Sequence, residues 1–243
     1  MKGRRAVQRR RERLPRDERV AAIMRAARES FCAHGYAAAS TAQIAAQAGV
    51  VEGTLYRYFP SKRALLIRVV EDFYENIFAD YERQLAGVRG TWNRLRYLIW
   101  KHLAVIHAEP AMCRLIMHEL RPWPQYRQSS VYRLNQRYTR RTLSVIREAV
   151  AAGELDGKVP LALVRDLIFG CAEHHTWAYL RGEGQFSPET AADAITNLIY
   201  RGLARTAAAG GQAVASSVHR LEQAVERLEG LSGPRRPARR AGG

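Results

Sequence analysis

Residues 40–59 read Ser40-Thr41-Ala42-Gln43-Ile44-Ala45-Ala46-Gln47-Ala48-Gly49-Val50-Val51-Glu52-Gly53-Thr54-Leu55-Tyr56-Arg57-Tyr58-Phe59. The pattern predicts two short helices meeting at a glycine turn. Thr41 is suited to cap the first, in which Ile44, Ala45 and Ala48 turn inward and small alanines allow a close crossing. Gly49 ends it, because glycine enters the left-handed region without a Cβ clash, and Val50 supplies an apolar turn residue. The second helix, over about 52–58, buries Leu55, with Phe59 after it. It is otherwise too short and polar for a core helix, and it exposes Thr54, Tyr56, Arg57 and Tyr58, all hydrogen-bond donors. A major groove about 12 Å wide admits one helix, where such donors reach phosphates and base edges.

Working outward, Val20, Ile23, Ala27 and Phe31 follow the three-four spacing of a helix with one apolar face, stopped at Gly35. Downstream, Pro60-Ser61 breaks the chain, and Ser61 caps a long helix carrying Leu65, Leu66, Val69, Val70, Phe73 and Ile77. Five more helices are expected at 91–108, 111–120, 129–152, 160–181 and 187–208, separated by glycine- and proline-bearing breaks. Ser187-Pro188 is a cap followed by proline at the first helical position. No sustained two-residue alternation occurs, so no sheet is expected and the fold class is all-α.

The flanks differ in character. Residues 1–19 form a basic arm with Lys2 and eight arginines against Glu12, Asp17 and Glu18, expected to be disordered when free. Val214, Val218, Leu221, Val225 and Leu228 suggest a last amphipathic helix at 212–230, before a Gly/Pro/Arg-rich tail at 232–243 that is also expected to be disordered. With 39 Lys+Arg against 23 Asp+Glu, the formal charge is +16. That excess favours a polyanionic partner, nucleic acid or an acidic membrane surface, although a solvated basic surface gives the same number. Cys32, Cys113 and Cys171 stand far apart without a CxxC, which fits a reducing cytoplasm. No apolar run approaches the roughly 18 residues of a membrane span, so no membrane is expected as a partner.

The run from Ala21 to Leu66 resembles the TetR family. It carries Phe31-Cys32-Ala33-His34-Gly35-Tyr36, then Gly53-Thr54-Leu55-Tyr56-x-Tyr58-Phe59-x-Ser61-Lys62, then Arg63-Ala64-Leu65-Leu66. The resemblance implies a TetR-like all-helical fold: an N-terminal three-helix helix-turn-helix domain joined to a larger helical domain that binds ligand and dimerises. On that basis the chain divides into the arm at 1–19, a DNA-binding domain at 20–66, a ligand and dimer domain at 67–208, and the amphipathic helix with tail at 209–243. The implied DNA-binding residues are Thr41, Gln43, Val51, Glu52, Gly53, Thr54, Tyr56, Arg57, Tyr58 and Lys62. Thr41 resembles a phosphate-contacting cap, Thr54 and Tyr56 a backbone-contacting pair, and Lys62 a phosphate-gripping lysine. Gly53 resembles the glycine that lets the helix approach the groove. Val51 departs from the pattern, where a serine would cap the recognition helix. Glu52 brings an anion near DNA, which selects against bases rather than adding affinity. The arm either enters a minor groove or tethers to phosphates.

In the second half, Leu161, Val164, Leu167, Ile168, Cys171 and Ala172 make one helix apolar on more than one face. Ala191, Ile195, Leu198, Ile199, Gly202 and Leu203 do the same for the next. The resemblance implies that these two helices pair with their two-fold mates, with Leu167, Cys171, Ile195, Leu198 and Gly202 at a homodimer interface. Trp100, His107, Met117, Arg121 and Trp177 are the expected ligand-binding residues, although core packing is open for such side chains. The stretch Val164-Arg165-Asp166-Leu167-Ile168-Phe169-Gly170-Cys171-Ala172-Glu173-His174 resembles FadR-type members, which sense long-chain acyl-CoA. Arg114, Arg121 and Arg127 are candidates for its phosphates, or are simply solvated.

Catalytic and metal readings fail. His118-Glu119 opens like a zinc-protease motif, but Pro122 stands where the second histidine belongs. His174 and His175 diverge by about 100° on a helix, and His102 and His107 miss a common face. No GxSxG, P-loop or dinucleotide glycine set occurs. No catalytic residue, metal or cofactor is expected. The expected function is a cytoplasmic ligand-responsive regulator, a repressor binding a palindromic duplex DNA operator as a homodimer and released by a hydrophobic small molecule. The alternative is a non-gated architectural nucleic-acid binder.

Overall fold

The computed structural model describes residues 15–204. The helices in chain order are α1 (Arg16–Ala38), α2 (Thr41–Gln47), α3 (Glu52–Tyr58), α4 (Lys62–Leu85), α5 (Thr91–Ala108), α6 (Pro110–Leu115), α7 (Ser130–Ala151), α8 (Leu161–Leu180) and α9 (Pro188–Leu203). A π-helical turn, Ile116–Leu120, continues α6, and a short 3₁₀ turn, Tyr126–Gln128, precedes α7. Among the described residues there is no strand.

Sequence explains most of the boundaries. α1 starts at Arg16, with Asp17 and Glu18 in its first turn, where carboxylates offset the exposed N–H groups and the positive helix end. Residues 16–19 are therefore helix and not arm. Residues 1–14, the amphipathic helix expected at 212–230 and the basic tail lie outside the described residues. Gly35, at φ +76°, breaks α1 where the glycine predicts it, with Tyr36 to Ala38 a further turn. Pro110 takes the first position of α6. Ser61, Ser129 and Ser187 accept from Ala64, Tyr132 and Thr190 backbone N–H at 3.0, 3.2 and 3.2 Å. A serine cap of this kind typically contributes about 1 kcal/mol.

One core runs through the described chain. Ile23, Ala27 and Phe31 of α1, Ile44 and Ala45 of α2, Leu55 of α3 and Leu65 and Leu66 of α4 are sealed together. The same cluster continues through Leu95, Leu98 and Leu103 of α5 to Ile168 of α8 and Ala192 of α9. Each such leucine or isoleucine contributes about 1.5–3 kcal/mol of apolar burial. The expected boundary at 66/67 falls inside α4, whose first turns belong to the helix-turn-helix core and whose later turns pack on α7. α4 is thus a rigid rod common to both halves. Arg28 pairs with Glu109 at 2.6 Å and ties α1 to the start of α6.

Candidate nucleic-acid interface and ligand cavity

α2 and α3 meet through the turn at Gly49 (φ +72°), whose N–H and that of Val50 bond back to Ala46 and Ala45 carbonyls. Ser40, not Thr41, is the cap of α2: its side chain accepts from Gln43 N–H at 3.5 Å. Thr41 is the first helical residue, and its hydroxyl crosses to α3. Thr41 Oγ1 donates to Glu52 Oε1 at 2.6 Å, and Tyr56 Oη lies 3.1 Å from it. This bridge fixes the angle between the two helices through side chains that face outward.

α3 buries only Leu55. Val51, Gly53, Tyr56 and Arg57 are exposed, Thr54, Glu52 and Tyr58 are half-buried, and Gln43 is exposed on α2. Val51 caps α3 with no side-chain hydrogen bond, as expected where a serine is missing, and it is 73% exposed. A Cβ built on Gly53 meets nothing within 4 Å, so nothing in the fold requires glycine there. Lys62, at the start of α4, donates to the Ala37 carbonyl at 3.1 Å and lies 4.7 Å over the Tyr36 ring. The structure thus places Thr41, Val51, Glu52, Gly53, Tyr56 and Lys62 on or beside one outward-facing corner.

A second feature lies in the helical body. A cavity of about 360 Å³, open to solvent on one side, is lined by α4 (Phe73, Tyr74, Ile77), α5 (His102, Val105, Ile106), α6 with its π-turn (Cys113, Ile116, Met117), α7 (Asn135, Tyr138, Thr139) and α8 (Phe169, Gly170). Arg121, Arg165, Asp166 and Glu173 complete the lining. Two of the expected ligand residues, Met117 and Arg121, are there. Trp100 is not: its indole N–H donates to Glu189 at 3.0 Å. His107 stacks on Tyr179 at 5.1 Å, against Phe186, away from the lining. Trp177 is half-exposed on the outer face of α8. These three placements share a cause: on helices with apolar residues on several faces, composition does not choose the face.

His102 and Tyr138, which the sequence did not single out as ligand-binding, hold the polar part of the cavity. Tyr81 Oη donates to Tyr138 Oη at 2.8 Å, and Tyr138 Oη lies 2.9 Å from His102 Nδ1. Burial, helped by the nearby Arg121 cation, pushes the His102 pKa down to about 4, so its ring is neutral near pH 7. Burial also raises the Tyr138 hydroxyl and pushes the Cys113 thiol up to about 12. Arg121 pairs with Glu173 at 2.6 Å, and Arg114 donates to the Leu180 carbonyl at 2.8 Å, so both already hold partners within the fold. A usable signal was present in α7. Its inward positions Val131, Asn135, Tyr138, Thr142, Val145 and Ala149 repeat by four and three, and Asn135, Tyr138 and Thr142 among them are polar.

The outer faces of α8 and α9 carry Leu163, Leu167 and Trp177, about half-exposed, and Leu198, 72% exposed, with Cys171 and Gly202 also exposed. Ile195, expected with them, is 5% exposed and belongs to the core of the protomer. Among the described residues no helix is long and apolar enough to cross a membrane, and no group of His, Cys, Asp or Glu could hold a metal ion.

An exposed second helix braced by a first, set on a helical body, is the arrangement of a helix-turn-helix DNA-binding regulator. Residues 23–69 match the family described as bacterial regulatory proteins, tetR family, and residues 89–203 match the Tetracyclin repressor-like C-terminal domain. The chain belongs to the TetR family and is a DNA-binding transcription factor, not an enzyme. It is 22% identical over 181 residues to the fatty acid metabolism regulator protein of Bacillus subtilis, spanning 74% of this chain and 93% of the relative. It is 28% identical over 150 residues to the nucleoid occlusion factor SlmA of Photobacterium profundum, spanning 61% of this chain and 76% of the relative. The crystal structure of FadR from Bacillus subtilis with stearoyl-CoA superposes with a TM-score of 0.67 at 22% identity, over 75% of this chain and 98% of that one.

Proposed function

We propose that this protein is a ligand-gated repressor, a homodimer that holds a palindromic operator and is released by a long-chain fatty acyl-CoA. α3 is the groove-reading helix: Thr54 and Tyr56 contact the backbone, Thr41 and Lys62 contact phosphates, and Gln43, Arg57 and Tyr58 flank them. The exposed apolar stripe of Leu163, Leu167, Cys171, Leu198 and Gly202 on α8 and α9 supports pairing across a two-fold axis, because large apolar side chains exposed together favour burial against a partner. Such a dimer sets two copies of α3 on successive turns of one DNA face. The protein works in the cytoplasm, where the operator is.

The observation that carries gating is the continuity between cavity and corner. α4 begins at Lys62, beside the corner, and lines the cavity from Phe73 onward, about 16 Å along a rigid helix. Beside it, Arg63 donates to the Glu119 carbonyl in the π-turn at 2.9 Å, while the neighbouring Ile116 and Met117 line the cavity. A ligand that displaces the π-turn pulls on Arg63 and tilts the start of α4. The spacing of the two α3 helices then no longer fits the groove. Coupling of about 1–3 kcal/mol, or 5–150-fold in operator affinity, is typical of such devices. The largely apolar lining and the relatives' fatty-acid regulation support an acyl ligand. The test is a titration of long-chain acyl-CoA against the protein on labelled operator. Release at micromolar ligand supports the reading, and operator retention at saturating acyl-CoA contradicts it.

A second reading is favoured by the likeness to a nucleoid occlusion factor and by the +16 charge. It is a non-gated architectural DNA binder with little sequence preference. Footprinting separates the two, since a discrete symmetric site supports the first and continuous protection the second.

A further inference from the structure

The charged groups of the cavity cancel one another. Arg121 is paired with Glu173 at 2.6 Å, and Arg165 with Asp166 at 2.8 Å. A free carboxylate entering there would find both cations already matched. The cavity therefore favours an uncharged polar group over an anion.

The hydrogen-bond relay decides what that group is. Tyr81 donates to Tyr138 Oη. If His102 Nδ1 also donated to that oxygen, the proton of Tyr138 would be left buried without an acceptor, at a cost of about 1–3 kcal/mol. Every proton is placed if Tyr138 donates to Nδ1 and the His102 hydrogen sits on Nε2. Nε2 has no partner among the described residues. It is not one of the sealed unpaired atoms, which are Arg19 Nε, Tyr126 Oη and Thr196 Oγ1, and His102 lines the cavity, which together favour an Nε2 that faces it. The ring is locked from behind, neutral, and presents one N–H to a ligand.

We propose that His102 is the specificity residue of this cavity, donating Nε2–H to the uncharged carbonyl oxygen of an acyl thioester, with Tyr138 as the positioning residue that fixes its tautomer. The inference rests on the acyl-CoA reading above and adds to it which atom of the ligand is read and by which residue.

The experiment compares palmitoyl-CoA with hexadecyl-CoA, whose thioether has a methylene in place of the carbonyl, by calorimetry on the full-length protein. The wild type should bind the thioester roughly 3- to 10-fold more tightly, the span of one net hydrogen bond. His102→Leu should bind both probes alike, and His102→Gln, which keeps a donor, should recover part of the preference. Nitrogen-15 NMR of the wild type should show the Nε2–H tautomer, and Tyr138→Phe should lose it along with the preference. These wild-type measurements stand even if a variant fails to fold. Equal binding of the two probes by the wild type, a preference that survives in His102→Leu, or an Nδ1–H tautomer would overturn the proposal. Failure of the wild type to bind either probe is a separate result: it overturns the acyl-CoA reading, and this proposal with it.

Discussion

Gly53→Ala should strengthen the fold and weaken DNA binding, two effects of opposite sign from one methyl group. Gly53 lies in the first turn of α3, exposed, with an ordinary helical backbone, and a Cβ placed there meets no atom within 4 Å. Nothing in the free protein resists the methyl, and alanine in a helix is more stable than glycine by about 0.5–1 kcal/mol. For a chain of this size that raises the melting temperature by about 1–4 °C. The same open space is where a groove wall must come close if α3 is the reading helix. A methyl there holds the helix off the phosphates and should cost at least about 1.4 kcal/mol, tenfold in Kd. Thermal melts followed by circular dichroism give the first number, and fluorescence anisotropy on labelled operator gives the second. A variant that melts higher and binds DNA as well as the wild type would refute the placement of α3 against the groove. A variant that melts lower would refute the structural argument itself.

Three further outcomes are expected. Val51→Ser supplies the missing cap of α3 and should add about 1 kcal/mol of stability, read as a rise in denaturation midpoint at unchanged slope. Arg63→Gln removes the hydrogen bond to the Glu119 carbonyl; operator affinity without ligand should stay within about twofold, while release by acyl-CoA should weaken by about 0.5–2 kcal/mol, seen as a shifted inducer titration. Leu198→Glu places a carboxylate in the middle of the exposed apolar stripe, so sedimentation should show monomers at concentrations where the wild type is dimeric, with helicity unchanged because Leu198 makes little of the protomer's core.

Much of the fold was legible because its signals are local. Gly35, Gly49, Ser61 and Pro188 act through their own backbone or side chain, and each marks the helix boundary that its chemistry predicts. The choice of Thr41 over Ser40 as cap shows the limit of that logic, since adjacent hydroxyls satisfy the same pattern and the backbone entry angle decides. The π-turn at Ile116–Leu120 left no mark in composition, because it shifts hydrogen bonds by one residue without requiring a special side chain. The outward corner could be read from residues contiguous in sequence. The cavity could not, since its lining comes from five helices and depends on which face each turns inward. Ile195 and Trp177 show this most clearly: both sit on helices apolar around much of their circumference, and packing sent the isoleucine in and the tryptophan out. Tyr138 and His102 are joined only by the crossing of α5 and α7, although the polar residues along α7's inward stripe hinted that this helix does more than fill a core.

Regulation of this kind requires α3 to read duplex sequence, and selection from a pool of random DNA duplexes tests that most directly. At moderate salt the wild-type protein should enrich a two-fold symmetric motif, and a variant with Thr54 and Tyr56 both changed to alanine should lose the enrichment while keeping its helicity. Recovery of the pool without any enriched motif, or the same motif from both proteins, would contradict it.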